Sequence, residues 1–246
     1  FSLMFASMMF ILLPRAQASA IRINEVLDTK PALRDGHGVT ESADGLDQGP
    51  LSVEFRQVTF RYPGAEMPAL RNVSFTARPG EVTAIIGGTG SGKSTLIHLI
   101  PRFFDPDEGQ VLVGGKDVRE FPLARLRGRI GLVSQKSILF SGTVAENIRY
   151  GREDATDEEV RRAAEVAQAA TFIEEWKGGY DTIIEQGGAN LSGGQKQRLT
   201  IARALVRKAA IYLFDDSFSA LDYKTDAALR RALREEIGGA TVIVVA

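Results

Sequence analysis

The sequence predicts an α/β fold. It should have a mostly parallel sheet flanked by helices, an antiparallel β portion ahead of it and an inserted helical block. Three features of the chain carry this. Strand-like runs at residues 81–86, 130–133, 211–214 and 241–245 alternate with helical stretches, and 211–214 is apolar throughout, as in a parallel strand buried on both faces. Period-two alternation marks an earlier region instead, at Val53, Phe55, Val58, Phe60 and Tyr62, then at Val73 and Phe75, as expected of strands with one face toward solvent. Residues from about 143 to 206 read mainly as helix.

The bulk properties leave room for such a fold and exclude others. The chain has 246 residues, 44% of them apolar, enough for one large domain or two small ones with a substantial core. Its 31 acidic and 30 basic residues nearly cancel, so no global field argues for nucleic acid. There is no cysteine, which excludes disulfides and thiolate metal sites and fits a reducing compartment.

Residues 1–13 are almost wholly apolar, followed by Pro14 and Arg15. An apolar run of that length beside the small residues 16–20, with Ala18-Ser19-Ala20, has the look of a signal peptide, but a basic leading segment and an initiator Met are missing. About 20 apolar residues are needed to span a bilayer. The run therefore reads as the cytoplasmic end of a transmembrane helix, truncated at this point, with Arg15 and Arg22 just past it. Ala20, Ile23 and Leu27 keep the helical spacing, so the helix is expected over residues 1–27. Residues 28–50, rich in glycine and polar side chains and holding His37, read as a linker. A third segment, 51–246, holds everything else.

Within it, Pro63-Gly64 and Pro79-Gly80 end the first two strands. A strand over 81–86 leads into a glycine-rich turn and a helix expected over 94–102. Strands at 109–113 and 130–133 follow, the second ending at Ser134-Gln135. Thr156 with Glu159 predicts a capping box, and Val160, Ala163, Ala164 and Ala167 one apolar helix face. Further helices are expected from Ser192 to about Val206 and over 225–237.

The turn after the third strand is Gly87-Gly88-Thr89-Gly90-Ser91-Gly92-Lys93-Ser94-Thr95. Gly87, Gly92, Lys93 and Ser94 satisfy G-x-x-x-x-G-K-[ST], a loop whose backbone N–H groups cradle phosphates. Its lysine reaches the terminal phosphates and its hydroxyl ligates Mg²⁺. The sequence thus predicts binding of a nucleoside triphosphate with Mg²⁺. About 120 residues further on, the run 211–214 ends in Asp215, where such a protein needs a carboxylate to hold the metal with the loop serine. Leu191-Ser192-Gly193-Gly194-Gln195 places a Ser N-cap and two glycines before a helix, a second device for phosphate.

Leu-Ser-Gly-Gly-Gln shortly before that Asp resembles the signature of ATP-binding-cassette (ABC) ATPases, and the resemblance extends over roughly 51–246. It implies a P-loop NTPase core with a mostly parallel sheet, an antiparallel β subdomain and an inserted α-helical subdomain at about 136–205, with ATP and Mg²⁺ as ligands. Tyr62 looks like the aromatic that stacks on adenine. Gln135 looks like the glutamine that meets Mg²⁺ and relays nucleotide state to the transmembrane domain. Residues 141–148 resemble the stretch that follows it in exporters, and Ser219-Ala220-Leu221-Asp222 the loop that crosses the dimer interface. The resemblance implies that two cassettes pack head to tail, each ATP lying between one phosphate loop and the partner's 191–195 counterpart. The apolar start then resembles the last transmembrane helix of an exporter half-transporter, anchoring the chain at the cytoplasmic side of the membrane.

The chain departs from this pattern at several positions. Asp216 stands where the family usually has the glutamate that polarises the attacking water. The family's switch histidine is expected beyond Ala246, and His37 and His98, in the linker and the phosphate-loop helix, do not replace it. Glu185-Gln186-Gly187-Gly188 is shifted from the usual exporter Gly-Glu-x-Gly, leaving the coupling glutamate open. Gly88 and Ser134 replace common prolines. An intact signature beside Asp216 resembles one half of a heterodimeric exporter, with a homodimer as the other arrangement. A non-hydrolysing regulatory module and a soluble ABC ATPase are the competing readings; the apolar start and near-neutral charge count against the second.

Overall fold

A computed structural model describes residues 1–30, 33 and 49–246. Most of the predicted linker, with His37, lies outside the described residues. The chain divides into two units, Phe1–Arg34 and Asp35–Ala246.

The first unit is one helix, α1, over Ser2–Leu27, with Pro14 inside it. Its 26 residues are long and apolar enough to cross a membrane by length and composition. The apolar run therefore does not stop at Leu13 as a structural element: a rise of about 1.5 Å per residue carries it through the small and basic residues that follow.

The second unit is built on two sheets. Strands β1 (Val53–Phe60), β2 (Leu70–Ala77), β4 (Glu108–Val113) and β5 (Lys116–Asp117) form an antiparallel sheet in the order β2-β1-β4-β5. Val53, Phe55, Val58 and Phe60 are all buried, although Phe55 and Val58 are three apart and strict alternation would put them on opposite faces. A register shift between them, with Gln57 at φ 50°, absorbs the extra residue. Opposite the shift stands Gly109 at φ +79°, where a Cβ would lie 2.3 Å from the Arg56 carbonyl oxygen; no other residue fits. Tyr62 falls past the end of β1.

Strands β3 (Val82–Ile85), β6 (Ile130–Val133), β9 (Ile211–Asp215) and β10 (Thr241–Val245) form a parallel sheet ordered β3-β10-β9-β6. Burial on both faces is explicit in β9. Ile211 and Leu213 pack with Phe55, Ile97 and Val111 between the two sheets, while Tyr212 and Phe214 pack with Ile148, Ile173 and Leu199 of the helical block. That two-sided burial is why the sequence is apolar from 211 to 214 rather than alternating.

The helices are α2 (Lys93–Leu99), α3 (Leu123–Gly128), α4 (Val144–Arg149), α5 (Asp157–Val166), α6 (Ala170–Glu175), α7 (Gly193–Leu205) and α8 (Tyr223–Glu236). A two-stranded ribbon of β7 (Gly142–Thr143) and β8 (Ile183–Ile184) joins the block. The predicted capping box at Thr156 and Glu159 is present, and Val160, Ala163, Ala164 and Ala167 are buried. Similar boxes at Thr143/Glu146 and Ser192/Gln195 start α4 and α7. One expectation needs correcting: α2 ends at Leu99 rather than at residue 102. Ile100 still holds helical backbone, but Pro101 has no N–H to continue the helix, and Arg102 turns to φ 52°.

Candidate nucleotide site

Strand β3 delivers the chain to residues 86–92, and α2 takes it away. Gly92 sits at φ +90°, and a Cβ there would lie 2.7 Å from the Ala69 carbonyl oxygen and 3.0 Å from Leu70 Cδ2. The second glycine of the motif is thus required by its conformation and by the close passage of residues 69–70. Lys93 Nζ donates to the Gly87 carbonyl and, at 3.0 Å, to the Gly88 carbonyl, so the ammonium is held over the loop.

The Ser94 hydroxyl donates to Asp215 Oδ1 at 3.0 Å. Asp215 is 2% exposed at the carboxyl end of β9, the edge of a parallel sheet where ligands bind in α/β folds. The next residue, Asp216, holds a left-handed backbone at φ 46°, and its Oδ2 accepts from Gln135 Nε2 at 3.2 Å. Gln135 lies just past the end of β6, the neighbour of β9. Tyr62 and Thr95 share a hydroxyl–hydroxyl bond of 3.0 Å, and Tyr62 packs edge-on against Phe60 and Phe104. The Tyr62 ring is thereby fixed beside the loop.

These groups surround a cavity of about 460 Å³, lined by Tyr62, Gly87, Thr89, Gly90, Ser91, Gly92, Lys93, Ser94, Thr95, Gln135, Asp215 and Asp216. Gly88 is not in the lining and takes part through its carbonyl. Ala69, Val245 and Ala246 also line it and were not anticipated; residue 69 has no motif, and only the tight passage at Gly92 could have pointed to it. A second cavity, about 490 Å³, lies beneath α8 at Val82, Phe218, Arg230 and Leu233 and holds none of the predicted site residues.

Leu191, Ser192, Gly193, Gly194, Gln195 and Asp222 are not part of the 460 Å³ cavity. Ser192 caps α7: its Oγ accepts from the Gln195 N–H at 3.3 Å, and Gln195 Oε1 accepts from the Ser192 N–H at 2.9 Å. Asp222 caps α8, accepting from the Thr225 hydroxyl at 2.6 Å and its N–H at 3.0 Å. Those two bonds hold its carboxyl below the usual carboxylate range.

As a metal site the cavity offers the Ser94 hydroxyl bonded to the buried Asp215 carboxylate, with the Gln135 amide also in the lining. This hard-oxygen pair is what Mg²⁺ takes when phosphates and water complete its shell. Among the described residues no cluster of three His, Cys, Asp or Glu could hold a metal alone, so the donor set fits a metal that arrives with a polyphosphate.

A cradle of this form at the end of a parallel sheet defines a nucleotide-binding P-loop protein. Residues 70–219 match the family model described as ABC transporter, and the chain belongs to that family. It is 50% identical over 247 residues to an uncharacterized ABC transporter ATP-binding protein of Mycobacterium tuberculosis, covering 99% of this chain and 42% of the relative. It is 45% identical to the beta-(1→2)glucan export ATP-binding/permease protein of Rhodopseudomonas palustris, covering 99% and 42%. To the ATP-dependent lipid A-core flippase of Escherichia coli it is 44% identical, covering 94% and 39%. The structure of a bacterial Atm1-family ABC exporter with ATP bound superposes with a TM-score of 0.88 at 36% identity, covering 97% of this chain and 41% of that one. The chain thus spans about two fifths of the length of these relatives, and its fold is that of an ABC ATPase.

Proposed function

We propose that this chain is the ATP-binding part of an ABC exporter, in which residues 51–246 form the cassette, 28–50 a linker and 1–27 the cytoplasmic end of a transmembrane helix. Within the cassette, 136–205 would be the helical subdomain. One observation carries the proposal: Ser94, Asp215, Asp216 and Gln135 close on the phosphate loop, while the signature at 191–195 lies outside that cavity. A second cassette packed head to tail would supply the missing signature to this loop and receive this chain's signature in return. The exporters named among the relatives support the same reading.

In that assembly Lys93 exchanges its two loop carbonyls for phosphate oxygens, and Tyr62 offers its ring to the adenine. Ser94, Asp215 and Gln135 would hold Mg²⁺, which neutralises charge on the phosphates. Asp216 faces the attacking water. Its carboxylate is one methylene shorter than a glutamate and stands back by roughly 1 Å, a misplacement that can cost ~100-fold in rate. This chain's own site therefore binds ATP and turns it over slowly, while its signature completes a faster site on a partner carrying glutamate. That makes the assembly a heterodimer with a transmembrane domain attached to each cassette, the cassettes lying on the cytoplasmic side. A non-hydrolysing regulatory module shares the Asp216 observation and differs in that the assembled pair would not cycle.

The test is Asp216→Glu in the full-length protein with its partner, followed by ATP turnover at this site. A rise of tenfold or more supports the proposal. No rise means that Asp216 does not slow the site, and absence of turnover at either site of the pair favours the regulatory module.

A further inference from the structure

Asp216 is held in a backbone conformation that L-residues seldom occupy, φ 46°, and such residues persist only where their surroundings over-determine them. Four bonds do so. The Asp216 N–H donates to the Val245 carbonyl at 3.2 Å, and its carboxylate accepts from Gln135. Its carbonyl accepts from Ser219 Oγ at 3.1 Å and from Gln197 Nε2 at 3.4 Å. The next side chain, Ser217, is fully buried and donates to the Val133 carbonyl at 3.0 Å.

Gln197 is the one of these partners that comes from the helical block. It lies in α7, two residues past the signature, and is 4% exposed. Its Oε1 is buried with no partner among the described residues, so the side chain carries the cost of a half-used amide. A leucine of similar volume would avoid that cost but could not donate to Asp216. The same helix also closes on the following loop at Gly194, where a Cβ would stand 3.3 Å from the Ala220 carbonyl oxygen.

We propose that Gln197 is a positioning residue for Asp216, tying its backbone carbonyl, and through the backbone its carboxylate, to the helix that opens with Ser192. The consequence rests on the function proposed above. Ser192 serves the partner's nucleotide and Asp216 this chain's own, so the Gln197 amide joins the two composite sites within one rigid piece. A shift of α7 when the partner's ATP engages the signature is then passed to Asp216 through one hydrogen bond.

The experiment compares Gln197→Leu with the parent in the full-length protein and its partner, in the native and Asp216→Glu backgrounds. Amide hydrogen exchange over residues 216–219 should speed up about tenfold while that of β9 stays unchanged. Turnover should fall by about tenfold, with the KM for ATP within about twofold. In an Asp216→Ala background the same change should cost nothing further. Unchanged exchange overturns the positioning role, and a turnover loss that persists in Asp216→Ala shows that it does not run through Asp216. If Asp216→Glu itself brings no gain, the reading of Asp216 as the slow base fails while the exchange result still decides Gln197.

Discussion

The Ser94 hydroxyl donates to the Asp215 carboxylate across 3.0 Å although 121 residues separate them in the chain. Their strands are not even neighbours: β10 lies between β3, which leads to Ser94, and β9, which ends in Asp215. The contact is made above the sheet, where the loop after β3 and the end of β9 face one another over β10.

Removing either partner should weaken ATP binding only when magnesium is present. Ser94→Ala and Asp215→Asn are expected to lower affinity by about 10- to 100-fold, the range seen when metal-site partners are removed. Titration calorimetry with and without EDTA checks this. An equal loss in EDTA would place the effect on the phosphates rather than on the metal.

Gly92→Ala should destabilise the fold by about 2 kcal/mol or more, because a Cβ at φ +90° would press on the Ala69 carbonyl in a conformation that itself costs an L-residue 1–2 kcal/mol. For a chain of this size the melting temperature should drop by roughly 4–8 °C. Gly88→Ala, with nothing within 4 Å of the added Cβ, should move it by less than ~2 °C. Thermal unfolding of the two variants separates a steric requirement from a loss of general loop flexibility.

At Tyr62 the ring and the hydroxyl can be separated. Tyr62→Phe deletes the bond to Thr95 but keeps the aromatic face, and ATP affinity should stay within about threefold. Tyr62→Ala removes the stacking surface, worth ~1–3 kcal/mol for a base on an aromatic ring, and affinity should fall ten- to hundredfold. A larger effect for phenylalanine than for alanine would exclude adenine stacking.

Acid stability should depend on Glu159. Lys208, Arg152 and the Thr156 N–H bond its carboxylate in the folded chain and lower its pKa from 4.5 to about 2. A folded pKa below the unfolded one means the contribution is complete above about pH 4.5 and is lost as pH falls toward 2. Glu159→Gln should therefore be less stable than the parent near neutrality, and the gap should close between pH 4.5 and 2. Denaturant midpoints measured across that range test it; a gap that does not change with pH would assign the loss to the capping box alone.

Much of this protein was legible from one dimension. Ser192, Thr156 and the glycine-rich turn announce themselves because caps and phosphate loops are local: the chemistry and the backbone geometry sit within a few residues of each other. The parallel strands were readable for the same reason, since two-sided burial leaves no polar position in β9 from Ile211 to Phe214, ahead of Asp215. The bulge at Gln57 and the early end of α2 were not. Each depends on what the neighbouring segment does, Gly109 across the ladder in one case and the turn at Pro101 and Arg102 in the other.

The family and most of the residues lining the 460 Å³ cavity could be read from the chain alone. Which of those groups share a cavity depends on how the strands are ordered. The tertiary structure brings Tyr62, Gln135, Asp215 and Asp216 to the loop and leaves 191–195 and Asp222 outside. It also decided that Asp216 is held by Gln197, a residue no motif reading singled out. The reason is physical: a motif records local backbone geometry, whereas the distance between two motifs is set by strand order and by the burial that fixes it.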